Sequence, residues 1–229
     1  MKKLITGYIF LMMAMITLMP VAKAQKKAPF TGTIVYNITV QGNVSDEAKM
    51  MLPSEMIMKI SPDKLSQVMH SDMMDIKTIF DATTRTSNTM MDMMGQKMSI
   101  KKTAVQLTDE QKKKGTTMTI KPSGEVKIIA GHKCRRAIVS MKSNKSTVQT
   151  FDTYYTEDID ISKYNFGNTF PNVNGLPLEF SMSQGPFSLK LTAKSIKKEN
   201  IAASEFAIPS DYKQVKPDKM KSLFNGGGQ

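Results

Sequence analysis

Alternating apolar and polar residues run through most of the chain and predict a β-rich protein. The clearest example is residues 31–40, where Ile34, Tyr36, Ile38 and Val40 occupy every second position. A period of two places these side chains on one face of a strand. Similar segments recur between turn-forming Gly, Pro, Asn and Ser residues, and they predict about eleven short strands. Pro122-Ser123-Gly124 predicts one of the turns.

Two short helices and one apolar loop interrupt this pattern. Residues 45–52 predict a helix capped by Ser45, and residues 108–114 predict a second helix capped by Thr108. Residues 157–175 predict a loop with helical turns that is more apolar than an ordinary linker, because it contains Tyr164, Phe166 and Phe170. We expect this loop to cover part of the sheet.

The order of elements indicates the fold class. Strands do not alternate with long helices, which excludes a doubly wound α/β enzyme. A sheet of so many strands must curl, close or split. We therefore predict a mainly β protein with a strongly curved antiparallel sheet or open half-barrel of about eleven strands, and one to three short helices as a lid.

The N-terminus has the features of a cleavable signal peptide over residues 1–24. Lys2 and Lys3 precede the apolar run of residues 4–19, and Ala22-Lys23-Ala24 resembles a cleavage site. A retained anchor is the alternative, but the run is shorter than the roughly 20 apolar residues of a spanning helix. A lipoprotein would have a cysteine directly after the cleavage site, and Gln25 occupies that position. We expect a periplasmic or secreted protein.

The mature chain is predicted to hold a single β-rich domain over residues 25–209. Residues 210–229 are polar and basic and end in Gly226-Gly227-Gly228-Gln229, which predicts a flexible tail. Cleavage removes Lys2, Lys3 and Lys23, which lowers the formal charge from +12 to +9. Export argues against a nucleic-acid partner. A peripheral contact with an anionic membrane surface or envelope proteins remains compatible with the charge.

Cys134 is the only cysteine, so an internal disulfide is excluded. His132 and Cys134 lie two apart on a predicted strand and share a face, which would suit a Cys–His nucleophilic pair. A buried thiol is the preferred interpretation, because no third orienting group is evident. A serine triad would need His70 or His132, and neither accompanies a nucleophile-elbow sequence. We predict no enzyme and no catalytic residues.

Methionine is abundant: five of the 21 lie in the leader, which leaves 16 in the mature chain. Met90, Met91, Met93 and Met94 offer thioether sulfur, a soft ligand suited to Cu(I). On a strand, however, Met91 and Met93 share one face, whereas Met90 and Met94 share the other. We predict packing rather than a tight Cu(I) site at these residues, and no cofactor.

Large flexible side chains recur at alternating positions of several strands. They are predicted to line an apolar ligand cavity, because methionine adapts to irregular ligands. The predicted cavity residues are Met56, Met58, Phe80, Phe180, Met182, Phe187 and Leu189.

Several short motifs carry a family resemblance over nearly the whole mature chain. They are Phe30-Thr31-Gly32-Thr33-Ile34-Val35-Tyr36, residues 129–137 around Cys134, Tyr155-Thr156-Glu157-Asp158, Asn174-Gly175-Leu176-Pro177-Leu178 and residues 206–212. Their order resembles the envelope family called domain of unknown function 4412, which is common in Bacteroidota. The resemblance implies a shape similar to the lipoprotein-carrier fold, an open half-barrel with a helical lid over an apolar cavity. It implies no catalytic residues.

Three functions stay open at this point. The leading hypothesis is an exported, non-enzymatic carrier or binding protein for a lipid or another apolar ligand. The alternative is a structural or interaction protein of the envelope without a ligand. The third is a methionine-rich copper-binding protein.

Overall fold

The computed structural model describes residues 29–115, 117–143, 146–166, 173–184 and 187–216. The predicted signal peptide, Phe170 and the last part of the predicted tail, residues 217–229, lie outside the described residues.

Twelve strands of the described chain form one sheet, which confirms the mainly β fold. They are β1 Gly32–Gly42, β2 Glu55–Ile60, β3 Lys64–His70, β4 Met74–Asp81, β5 Thr86–Met93, β6 Gln96–Thr103, β7 Thr117–Ile129, β8 His132–Ser143, β9 Ser146–Thr156, β10 Leu176–Gln184, β11 Phe187–Lys198 and β12 Lys213–Gln214. Their order across the sheet is β12-β6-β5-β4-β3-β2-β1-β11-β10-β9-β8-β7. The sheet is open, with β12 and β7 at its edges.

The sheet is strongly curved between β11 and β7. Three strands lie between these two, so a flat sheet would hold them about 19 Å apart. Their Cα atoms nevertheless approach within 8 Å. Register shifts accompany the curvature, between Val35 and Tyr36 in β1 and between Pro177 and Glu179 in β10. Such bulges bend a strand and increase its twist.

The predicted turn at Pro122-Ser123-Gly124 is wrong, because β7 continues through it as one strand. Pro122 pairs with Ala137 and Val126 pairs with Arg135, so the extra residues form an irregularity within the ladder. An edge strand tolerates this irregularity because only one of its sides takes part in pairing.

The helices are α1, Asp46–Met50, and α2, Ala104–Lys114. Ser45 Oγ accepts a hydrogen bond from the Ala48 amide at 3.2 Å, which confirms the predicted cap of α1. The predicted start of α2 at Thr108 is wrong. Thr103 caps α2, with Thr103 Oγ1 accepting from the Gln106 amide and Gln106 Oε1 accepting from the Thr103 amide. This reciprocal capping box lets β6 pass directly into α2.

The C-terminal segment is held against the sheet, so the predicted tail boundary after residue 209 is too early. Lys213 of β12 pairs in parallel with Met98 of β6, and the Val215 amide donates to the Ser99 carbonyl at 2.9 Å. Asp211 also forms an ion pair with Lys97 at 2.7 Å. The described part of the predicted tail is therefore an edge of the sheet.

Apolar side chains pack on both faces of the sheet. The largest cluster, called the main core below, joins one face of the central strands to the loop of residues 159–166. On the opposite face, Ile79 and Met90 pack against Phe206, which belongs to the 3₁₀ helix Ala203–Phe206. The segment after β11 thus covers the second face before it reaches β12.

Candidate functional site

The strand register brings the seven predicted cavity residues into the main core. Met56 of β2 lies opposite Tyr36 of β1, and Met182 of β10 lies opposite Leu189 of β11. Met56, Met58, Phe80, Phe180 and Leu189 are buried, and Met182 and Phe187 are partly buried against the same core. Met58 is only 1% exposed and Phe80 only 2%, so their side chains are packed by protein atoms in this conformation.

Tyr36 lies at the centre of this arrangement. Its ring is fully buried and meets the Phe180 ring edge-on, with 6.0 Å between the centroids. Its hydroxyl donates to the Pro177 carbonyl at 2.9 Å, and burial raises the pKa of this hydroxyl well above its usual range. Tyr36 therefore stays neutral and links β1 to β10 inside the core.

One loop covers an end of the main core. Its residues Ile159, Ile161, Tyr164 and Phe166 are all buried in the core, and residues 162–164 form a 3₁₀ helix. We call residues 159–166 the covering loop.

Side-chain hydrogen bonds attach the covering loop to the turn between β2 and β3. The Tyr164 hydroxyl donates to the Ser61 carbonyl, and the Lys163 ammonium donates to the Pro62 carbonyl. The Phe166 ring meets Phe80 edge-on with 6.0 Å between the centroids. The loop therefore contacts strands far from it in sequence through side chains rather than through a strand ladder.

Two clefts open beside the main core. The larger, about 660 Å³, lies at the end of β1 and β11 and is lined by residues that include Phe30, Asp158 and Lys198. The smaller, about 330 Å³, lies between β9 and β10, where Phe151 and Phe187 line it together with six polar residues. Ligand sites commonly measure roughly 300–1,000 Å³. Phe30 and Phe187 pack against the main core, so both clefts border it.

A buried carboxylate links β10 to β7 and β11 in the curved part of the sheet. Glu179 accepts hydrogen bonds from Lys127 at 2.9 Å and from Thr192 at 3.2 Å, and forms an ion pair with Lys190 at 3.2 Å. Burial by itself would raise the pKa of Glu179, but the hydrogen bonds and charges of the two lysines hold it below its usual value. Glu179 is therefore ionised at neutral pH.

A second set of polar and charged side chains, around Tyr154 and Arg136, lies beside Glu179. The Tyr154 hydroxyl donates to Glu125 at 2.6 Å, and this bond, with burial, raises the pKa of Tyr154 to about 12. Arg136 forms ion pairs with Glu125 at 2.9 Å and with Asp152 at 2.8 Å. These pairs cross β7, β8 and β9, which suits a structural role in fixing the edge of the sheet.

Cys134 and His132 do not form a nucleophilic pair in this structure. The thiol is fully buried and lies 3.5 Å from the backbone carbonyl of His132, rather than from its imidazole. The His132 Nδ1 atom lies 3.0 Å from Asp158 instead. Burial raises the pKa of Cys134 to about 11, which disfavours the reactive thiolate.

The four methionines considered as copper ligands do not form one group. Met90 packs with Ile79 and Phe206 on one face, whereas Met91 and Met93 lie in another cluster with Ile100. Met94 is 79% exposed at the turn between β5 and β6. Among the residues that the structure describes, no group of three or more His, Cys, Asp or Glu side chains could hold a metal ion.

Sequence reasoning missed Glu179 and the covering loop's partners. The alternation of Leu178, Glu179 and Phe180 indicates only that Glu179 faces away from its neighbours. Lys190 comes from β11, the neighbouring strand along the chain, but Lys127 comes from β7, which local sequence does not connect to β10.

No model of a protein family matches this chain, and no curated protein matches it in sequence. Within the described ranges, none of the helices has the length and apolar character needed to cross a membrane.

Proposed function

We propose that this protein is an exported, non-enzymatic carrier or binding protein for a lipid or another apolar ligand of the cell envelope. The observation that carries the proposal is a continuous apolar core on one face of an open, curved sheet, covered at one end by the loop of residues 159–166. Movement of the covering loop would uncover apolar side chains without breaking a strand ladder. The proposal includes membership of the family called domain of unknown function 4412.

Methionine and phenylalanine suit the ligand-binding surface of such a carrier. On β2, Met56 lies opposite Tyr36 of β1, and Met58 lies opposite Ile34 of β1. Unbranched thioether chains repack around acyl chains of different shape, whereas branched residues have fixed rotamers. In the closed form these side chains fill the space that a ligand would occupy.

A structural or interaction protein without a ligand is the alternative. The observation that favours it is the near-complete burial of Met58 and Phe80, which leaves the core filled in this conformation. The two functions differ in whether the covering loop opens to admit a ligand. Basic residues in the last turn of α2, Lys112, Lys113 and Lys114, are exposed and suit contact with an anionic surface under either function.

Export is part of the proposal. Cleavage after Ala24 would give a mature protein that begins at Gln25, and intact-mass measurement of protein from the periplasm or medium checks this. Recovery of protein that retains residues 1–24 would contradict it.

The central experiment uses protein purified from its own compartment. Native mass spectrometry is expected to find co-purified apolar mass, and a fluorescent fatty-acid analogue is expected to bind. Leu189→Arg places a charge on the apolar surface and should abolish uptake while the fold partly survives, because an opening groove gives the guanidinium access to water. Ser195→Arg, on an exposed position of the same strand, should retain both fold and uptake.

The same variants test the alternative. In a permanently filled core, Leu189→Arg would unfold the protein, because an unpaired buried charge costs several kcal/mol of a total stability of about 5–15 kcal/mol. Unfolding of that variant, together with no ligand uptake by the parent, would refute the carrier proposal.

A further inference from the structure

Four methionines from three adjacent strands lie on one face of the sheet. In the register, Met91 of β5 is opposite Met98 of β6, and Met74 of β4 is opposite Met93 of β5. Met91 and Met93 are two residues apart on β5, so all four side chains share the same face. They pack in one cluster around Met91 and Ile100. We call these residues the methionine cluster.

The spacing of a sheet brings their sulfur atoms within reach of one another. Residues directly opposite each other in an antiparallel pair have Cβ atoms about 4.5–5.5 Å apart. Residues two apart on a strand are about 7 Å apart. The methionine side chain has three rotatable bonds, so three neighbouring thioethers at these separations can converge on a common point. Met74 and Met98 are two strand spacings and two residues apart, about 12 Å, so they do not both reach that point.

The methionine cluster has one buried member and three members that solvent still reaches. Met91 is 5% exposed, whereas Met74, Met93 and Met98 are partly buried and still reach solvent. Lys97 is the neighbour of Met98 in sequence, but it lies on the opposite face with Asp211. The flanking side chains on the cluster's own face include Ile76 and Val215, which are uncharged.

We propose that the methionine cluster binds one Cu(I) ion through three thioethers, those of Met91 and Met93 with that of either Met74 or Met98. Thioether sulfur is a soft and uncharged donor that selects Cu(I), whereas carboxylate and carbonyl oxygen select hard cations. A monovalent ion on neutral ligands brings only one charge to the partly buried face. The site is independent of ligand carriage and uses a different set from the four residues that the sequence pattern suggested, because Met90 and Met94 are not part of the cluster.

The test titrates the mature protein with Cu(I) under anaerobic conditions against a chromogenic Cu(I) chelator. A variant with all four cluster residues replaced by leucine keeps their volume and apolar character, so it should fold. We expect its Cu(I) affinity to fall by more than the roughly 10- to 100-fold that loss of an outer-sphere partner costs. Met90→Leu and Met94→Leu are the matched controls and should bind as the parent does.

Cys134→Ala separates thioether from thiolate binding, and it should leave the affinity unchanged. X-ray absorption of the Cu(I)-loaded parent should show an environment of three sulfur atoms, and this measurement does not depend on the folding of any variant. Parent-like affinity in the four-leucine variant, an equal loss in Met90→Leu, binding lost with Cys134→Ala, or a copper environment without several sulfur atoms would each overturn the proposal.

Discussion

Lys127 Nζ on β7 lies 2.9 Å from Glu179 Oε2 on β10, although β8 and β9 separate these strands in the sheet. A flat sheet would hold the two backbones about 14 Å apart. The ion pair therefore forms because the sheet curls, and it in turn stabilises the curl. Lys127 also lies over the Tyr154 ring, 5.0 Å from its centroid, which joins the intervening strand β9 to the same contact.

Glu179→Gln should destabilise the protein by about 1–3 kcal/mol at pH 7, because it removes the charge that pairs two lysines in a mostly buried site. Urea unfolding measures the change. Glu157→Gln is the control, since Glu157 is exposed and pairs with Arg135 at 3.5 Å. The control should change the free energy of unfolding by less than about 0.5 kcal/mol.

The pH dependence of the same variant gives a second prediction. The pKa of Glu179 is lower in the folded state than in the unfolded state. Its contribution to stability is therefore complete above the ordinary glutamate pKa of about 4.3, and it is lost as the pH falls through the lower, folded value. The parent should lose stability on acidification more steeply than Glu179→Gln. Parallel pH profiles would contradict this account.

Gly175→Ala should destabilise the protein by more than about 1 kcal/mol. Gly175 has φ 145°, and a Cβ atom there would lie 2.0 Å from the Thr156 carbonyl oxygen. Gly124→Ala is the matched control, because a Cβ atom at that position meets nothing within 4 Å. Thermal denaturation of both variants checks the prediction, and equal melting temperatures would show that β9 and β10 separate at no cost.

Phe166→Ala should loosen the covering loop. It removes the ring that packs edge-on against Phe80 and lies 5.8 Å below the Arg85 guanidinium. Hydrogen–deuterium exchange at residues 159–166 should become faster, because the backbone hydrogen bonds that the structure describes for the loop lie within it rather than to a strand. Ile208→Ala, at an exposed position elsewhere, should leave this exchange unchanged. Unaltered exchange in Phe166→Ala would show that other contacts hold the loop.

Cys134 should react slowly in the folded protein. With its pKa raised to about 11, it holds about a hundredfold less thiolate at pH 8 than an ordinary cysteine, and burial slows the reaction further. Alkylation by iodoacetamide in buffer and in denaturant, followed by mass spectrometry, measures the ratio. Rapid alkylation of the native protein would restore the hypothesis of a reactive thiol.

The sequence determined which residues alternate between the faces of each strand. Ile34, Tyr36 and Ile38 are buried as their period of two predicts, and Ser45 caps its helix. Within β2, β10 and β11 the predicted cavity residues likewise occupy every second position and share a face. These features follow from local rules, since neighbouring residues on a strand point to opposite faces and a capping side chain reaches an amide three residues away.

The tertiary structure decided everything that depends on which distant segments become neighbours. The residues around Pro122 continue as a strand because β8 offers a partner, and Lys213 joins the sheet because β6 leaves an open edge. The pairing of strands across the sheet also places Lys127 beside Glu179 and brings Met74 and Met98 into one cluster. Such contacts are absent from the local pattern, because hydrogen bonding and charge pairing between strands act across segments far apart in the chain.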